Sequence, residues 1–275
     1  MKKALLVSLL LGGASTGTIA QSVDDSKPLT ITPQVSIEQF NWIENYTTGK
    51  AGIKFELKPS SKLNINLDLG AYKNINKPYA TQSSGSALSI NFSDYKTSPP
   101  YSASINPLYN QPKANLSGFY ANIDAGVPFK LSDTSRISIE PFIGLEGKMW
   151  SRSLVYGQEG EQTVFEEKYK FLSPSLGAKL NYTSKSKVKL TLRIGVSYPA
   201  VSKLKTDEKN LTAPNTEFNL SKHLSPSIEA AAKIKKLTIK IRYERLNLGS
   251  TDSLKGVTQP STKANVTGFS IGYDF

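Results

Sequence analysis

The chain has 275 residues, 34 of them lysine or arginine and 22 aspartate or glutamate, giving a formal net charge of +12 with one histidine and no cysteine. The missing cysteines exclude disulfide staples, thiolate catalysis and thiolate metal sites together. A mean hydropathy of -0.31, and no stretch with the roughly 20 apolar residues a spanning helix needs, exclude a helical membrane protein but not a membrane barrel, whose strands need only every second residue apolar.

In chain order, the first feature is a leader. Lys2 and Lys3 precede the apolar run Ala4 to Leu11, and Thr18-Ile19-Ala20 ends in small residues. This layout predicts a signal peptide over residues 1–20 and one mature domain over 21–275. Loss of Lys2 and Lys3 lowers the charge from +12 to +10. For an exported chain, that excess points either to plain solvated lysines in turns and loops or to anionic lipopolysaccharide or an anionic solute, and not to nucleic acid.

Period-two alternation then dominates, as a strand with one apolar face requires. Around Val35 to Trp42 the parity changes between Ile37 and Phe40, which predicts a bulge. Ile53, Phe55 and Leu57 mark a short strand, and Leu63, Ile65, Leu67 and Leu69 a clearer one. Further rows run Phe119 to Phe129, Ile137 to Leu145 and Leu172 to Tyr182. The cleanest is Val188 to Tyr198, with six matches in succession. Leu224 to Ala232, Leu237 to Tyr243 and Phe269 to Phe275 complete the series. Pro141, Pro174 and Pro226 fit poorly in a continuous ladder.

The connections alternate in length. Tight turns fall near Pro59–Ser61, Leu131–Ser135, Thr183–Lys187 and Lys233–Lys236, and the longest segments at Lys73–Lys113, Ala200–Leu220 and Gly249–Lys263. Short turns on one side and long loops on the other predict an all-β antiparallel transmembrane β-barrel of about ten strands, with both ends on the periplasmic side. A hairpin around Leu88–Phe92 would make twelve, and eight also stays open. Phe129, Tyr182 and Phe275 near the turns, with Tyr198 and Tyr243 near the loops, form two candidate interface belts.

The C-terminal segment Gly268-Phe269-Ser270-Ile271-Gly272-Tyr273-Asp274-Phe275 resembles the last strand of small Gram-negative outer-membrane barrels, the OmpA-like and porin-like group. The resemblance implies outer-membrane localisation. It also implies that Phe269, Ile271, Tyr273 and Phe275 form the signal read by the barrel-assembly machinery. Ser36 to Glu44 resembles the first strand of some barrels of that group.

If the apolar parity faces lipid, the opposite parity faces the lumen. The expected interior holds Lys54, Glu56, Asp68, Asp124 and Lys148, and an ion-pair network of Glu140, Glu146, Lys179, Lys189, Arg193, Glu229, Lys240, Arg242 and Glu244. Buried ions are costly unless paired, so a plugged lumen is expected, with a narrow channel as the alternative.

Catalysis has little raw material. His223-Leu224-Ser225 is similar to the His-x-Ser of outer-membrane lipid A deacylases, and Ser225 is expected roughly opposite Glu244 on the lumen face with His223 one pleat away, but parity points His223 and Ser225 inward, away from acyl chains. The omptin proteases, also ten-strand barrels, need an Asp-x-His pair, and residue 221 is Ser. One histidine offers no metal-ligand spacing, and no cofactor motif occurs. The expected function is therefore non-enzymatic: a structural or surface-interaction barrel contacting outer-membrane lipid and lipopolysaccharide. A small-solute channel is the second reading, and a secreted soluble β-protein a minor one.

Overall fold

Alternating residues build ten long strands: β1 (Leu29–Asn41), β2 (Asn45–Ser60), β3 (Leu63–Asn74), β4 (Lys113–Gly126), β5 (Ile137–Tyr156), β6 (Thr163–Thr183), β7 (Lys189–Ser197, resumed as Val201–Glu208), β8 (Thr216–Asn219, resumed as Ser225–Ile234), β9 (Leu237–Leu248) and β10 (Thr262–Tyr273). The computed structural model describes residues 29–42, 45–60, 62–76, 89–90, 113–132, 135–156, 163–208, 216–251, 257–258 and 261–275. The expected leader lies outside them.

Each strand pairs antiparallel with its neighbour in sequence, and β1 pairs with β10 from Gln34↔Gly272 to Asn41↔Asn265, so the sheet closes. Closure leaves no edge of unpaired backbone groups, the condition for a sheet to cross a bilayer. Ser89–Ile90 pairs with Val257–Thr258 as a separate two-stranded piece. The described part of the Leu88–Phe92 region therefore adds nothing to the barrel wall, and the rest lies outside the described residues.

The outer surface is apolar over one half of the barrel. Ile37, Phe119, Ile143, Leu176, Ile194, Ile241 and Phe269 are each 46–72% exposed, on seven different strands. A soluble protein rarely leaves so continuous an apolar surface in water. The 21 residues of β6 span roughly 50 Å along the barrel axis at about 3.3 Å per residue and about 40° tilt. A lipid-facing band is only about 25 Å tall, so the wall continues well beyond it.

Two irregularities of the wall bear on the sites described below. β7 gains one residue against β6 between Ser175↔Ser197 and Leu172↔Val201. Across this bulge the N–H groups of Tyr198 and Ala200 donate to the carbonyls of Pro174 (3.1 Å) and Leu172 (2.8 Å). Pro174 thus sits where the ladder is already interrupted. Pro141 stays in register with Ala178, and Pro226 with Val196. The second irregularity involves β8 and β9 together. Ser221–Leu224 leaves the strand opposite Gly249, where a Cβ would lie 1.9 Å from the Ser221 carbonyl oxygen. Only glycine allows that approach.

The bulge expected in β1 is absent. Its ladder to β2 runs unbroken from Leu29↔Leu57 to Asn41↔Asn45. Phe40 points inward and is 5% exposed. The strand keeps its parity, and it is the polarity of the barrel's inside that changes with height.

Candidate functional site

The interior of the membrane half is a polar cavity of about 170 Å³. Its described lining carries eight basic side chains (Lys54, Lys148, Lys179, Lys189, Arg193, Lys233, Lys240, Arg242) and eight acidic ones (Glu56, Asp68, Asp124, Glu140, Glu146, Glu229, Glu244, Asp274). The formal charges cancel, and most groups are paired. Lys179 lies 2.7 Å from Asp124 and 2.9 Å from Glu140, and Arg193 reaches the other Asp124 oxygen at 3.4 Å. Asn66 and Asn64 donate to Asp124 (2.9 Å) and Glu140 (2.6 Å). Lys240 sits 3.4 Å from Glu229. Lys189 lines the cavity but has no carboxylate within ion-pair distance among the described residues.

A second cluster roofs the cavity. Arg242 bridges Glu38 (3.3 Å) and Glu244 (3.2 Å), Lys50 also reaches Glu38 (3.3 Å), and Lys148 joins Glu244 to Glu146 (3.2 Å). The Lys50 ammonium also lies 3.7 Å from the centroid of the Tyr120 ring, whose hydroxyl donates to Asp68 at 2.9 Å. Gly52 and Gly70 make room for that ring, since a Cβ on either would approach it to 2.5 Å. Glu38 escapes the sequence reading because the expected bulge hides the parity of the upper part of β1, and Lys50 because the short row Ile53 to Leu57 stops before it on β2.

Above the roof the interior turns apolar. Trp150 stacks between Tyr169 (centroids 5.2 Å) and Phe171 (5.0 Å), with Phe40 and Trp42 packed edge-on to this group. Tyr46, Leu116, Leu204, Phe218, Leu246, Leu248 and Val266 complete a buried cluster that spans the bore. Arg152 and Glu167, 3.0 Å apart, are buried within it at 2% and 1% side-chain exposure.

At the other end, Thr32 donates to Asp274 at 2.5 Å and Lys233 pairs with the same carboxylate. The Phe275 N–H donates to the Ile31 carbonyl at 3.0 Å. Phe269, Ile271, Tyr273 and Phe275 form the exposed outer row of β10.

The serine–histidine–carboxylate group does not assemble. Ser227, not Ser225, faces Glu244 across the β8–β9 ladder. Ser225 Oγ accepts the Asn247 N–H at 3.2 Å, and Glu244 is held by Lys148 and Arg242. His223 is not inward-facing as parity predicts. It is exposed, with Nε2 3.4 Å from Ser221 Oγ, because the irregular segment Ser221–Leu224 frees it from the ladder.

No protein-family model and no curated protein matches the sequence. The outer membrane protease OmpT of Escherichia coli is similar in structure at 10% identity, covering 92% of this chain and 99% of that one with a TM-score of 0.49. A major outer membrane protein of Thermus thermophilus matches at 13% identity over 90% and 100% of the two chains, with a TM-score of 0.44. The translocator domain of autotransporter NalP from Neisseria meningitidis matches at 13% identity over 91% and 90%, also with a TM-score of 0.44. The chain's own geometry is more direct. Its closed ten-strand sheet has a lipid-facing exterior and charged interior over one half, and the C-terminal strand ends on an outward aromatic. The chain has the fold of an outer-membrane β-barrel.

Proposed function

We propose that this barrel is a closed, non-enzymatic structural and surface-interaction protein, presenting its outer half while the lumen conducts nothing. The observation that carries this reading is the aromatic and aliphatic cluster across the bore above the charged cavity. An ion crossing it would lose its hydration against a mainly apolar seal, whose buried Arg152 and Glu167 are already paired with each other, at a cost of several kcal/mol. The charge-balanced lining adds support, since it leaves no excess of either sign to select a solute. On this reading the partners are outer-membrane lipid, lipopolysaccharide and, during insertion, the barrel-assembly machinery engaging the outer row of β10.

A narrow channel is the second reading, favoured by the polar cavity in the membrane half. Planar-bilayer conductance separates the two. The refolded protein, shown to be inserted by its heat-dependent gel shift, should stay electrically silent. Stable stepwise conductance would overturn the closed-barrel reading.

A further inference from the structure

Deepening the lipid contact proposed above, and resting on that reading, we infer that the outer face of β6 and β7 is a binding site for one lipopolysaccharide molecule. Its phosphate would be held by Lys168, Lys170, Lys203 and Lys205, and an acyl chain would lie in the groove beneath them.

The first observation is electrostatic. Lys170 stands directly opposite Lys203 across the β6–β7 ladder, and Lys168 directly opposite Lys205. Like charges facing each other across strands destabilise a sheet, so two such pairs side by side call for an anion. Only part of this charge is neutralised within the protein. Lys168 lies 3.0 Å from Glu166, and Lys203 pairs with Glu217, whose carboxyl this contact holds below the usual carboxylate range. Lys205 stands opposite Glu217 on the β8 side of its strand, but neither it nor Lys170 has a carboxylate within ion-pair distance among the described residues, so one carboxylate serves three ammonium groups there.

The second observation is position. On both strands the lysines begin one outward step above the last apolar residues, Leu172 on β6 and Val201 on β7. That step is roughly 7 Å along a strand. The quartet therefore sits at the upper edge of the lipid-facing band, on the side of the longer loops. Phosphate groups of the outer leaflet lie at that level, and lysine stems can cover apolar surface while the ammonium reaches them.

The third observation is a groove. Below the lysines the outer face opens into a concave apolar surface of about 530 Å³, lined by Ile143, Leu145, Pro174, Leu176, Val196 and Tyr198 among others. It lies just below the β7 bulge, where Tyr198 leaves the regular ladder. A free phosphate or a nucleotide would use the lysines and ignore the groove, and a neutral lipid would do the reverse. A phosphorylated, acylated glycolipid uses both.

The test uses the full barrel refolded in neutral detergent, with lipid retention counted by native mass spectrometry and the heat-dependent gel shift read with and without lipid. The probes are phosphorylated lipid A, the same lipid without phosphates, and inorganic phosphate. Wild type should retain one phosphorylated lipid A and show a raised shift temperature, with neither effect from the other two probes. The variant K168Q/K170Q/K203Q/K205Q should lose affinity by about tenfold or more. Without lipid it should be at least as heat-stable as wild type, because the like-charge pairs are gone. Leu176→Trp, which fills the groove and keeps the lysines, should also weaken binding. Equal retention by the quadruple variant, equal binding of dephosphorylated lipid, or a lipid-free dimer closing this face would each overturn the site. An equal response to inorganic phosphate would reduce it to an ion site and overturn the lipid assignment. None of these outcomes bears on conductance, so this inference and the closed-lumen reading fail independently.

Discussion

In the membrane half, β9 sends Lys240, Arg242 and Glu244 inward and Ile239, Ile241 and Tyr243 outward. A few residues further along the same strand, Leu246 and Leu248 point inward and Arg245 and Asn247 outward. β10 inverts in the same way, from outward Phe269 and Ile271 to inward Ala264 and Val266. The backbone pattern is the same in both halves, and the surroundings differ. Where lipid lies outside, apolar residues gain nothing by turning inward, so the interior is left to charges that must satisfy one another. Where water lies outside, the hydrophobic effect draws the apolar rows in, and a conventional core forms.

The two halves should therefore break differently. The largest effect is expected from Lys179→Met, which leaves Asp124 and Glu140, 6% and 4% exposed, without their shared cation. Removing one partner of a buried ion group typically costs about 3–5 kcal/mol. Urea unfolding in micelles should show that loss. The double variant K179M/E140Q should recover most of it, because Asp124 keeps Arg193 at 3.4 Å and no uncompensated charge is left. A double variant as unstable as the single one would sink the ion-network account of this half.

Trp150→Ala attacks the other interior. It deletes the ring stacked between Tyr169 and Phe171 and should cost about 3–4 kcal/mol, in the range for large-to-small core changes. No charge-matching second substitution should rescue it. Both tryptophans of the chain, Trp42 and Trp150, lie in this upper cluster. Intrinsic fluorescence therefore reports the seal alone. Folded Lys179→Met should keep the wild-type emission maximum, whereas Trp150→Ala should change it. Gly70→Ala probes the boundary between the halves, where the new methyl would meet the Tyr120 ring and the Ala51 carbonyl. Overpacking of this kind costs about 1–3 kcal/mol, and loss of the Tyr120–Asp68 contact should be visible in a crystal structure of the variant.

This division explains what can be read from the sequence. The rows Leu237 to Tyr243 and Val188 to Tyr198 announce their strands because outward apolar and inward polar residues alternate without interruption there. The turns and the closing strand Phe269 to Phe275 then lead to the strand number. Phe40 reads as a bulge because an inward aromatic in a barrel looks like a parity error when the whole strand is assumed to lie in lipid. Glu38 is hidden with it, and Lys50 lies beyond the short row Ile53 to Leu57 from which β2 is read. The aromatic seal has a signal, since Phe40, Trp150, Tyr169 and Phe171 all fall on the polar parity of their strands. Recognising it requires knowing how far the wall extends beyond the bilayer. His223 fails for a different reason: β8 and β9 both leave regular geometry near Gly249, and no alternation survives such a double slip.

The smallest effect lies at the rim of the short turns, where the membrane half has neither an aromatic core nor a dense ion network to lean on. Lys235, in the turn joining β8 to β9, has φ 54°, in the left-handed region where a residue with a Cβ is disfavoured. The ladder on either side, closed at Ile234↔Leu237, holds it there. Asparagine tolerates that conformation better, so Lys235→Asn should stabilise the barrel by about 0.5–1 kcal/mol. The gain should appear in the urea midpoint, with tryptophan emission unchanged because the turn and the seal lie at opposite ends. If emission shifted together with the midpoint, the two halves would be coupled through the wall, and the contrast between their interiors would not describe separable parts.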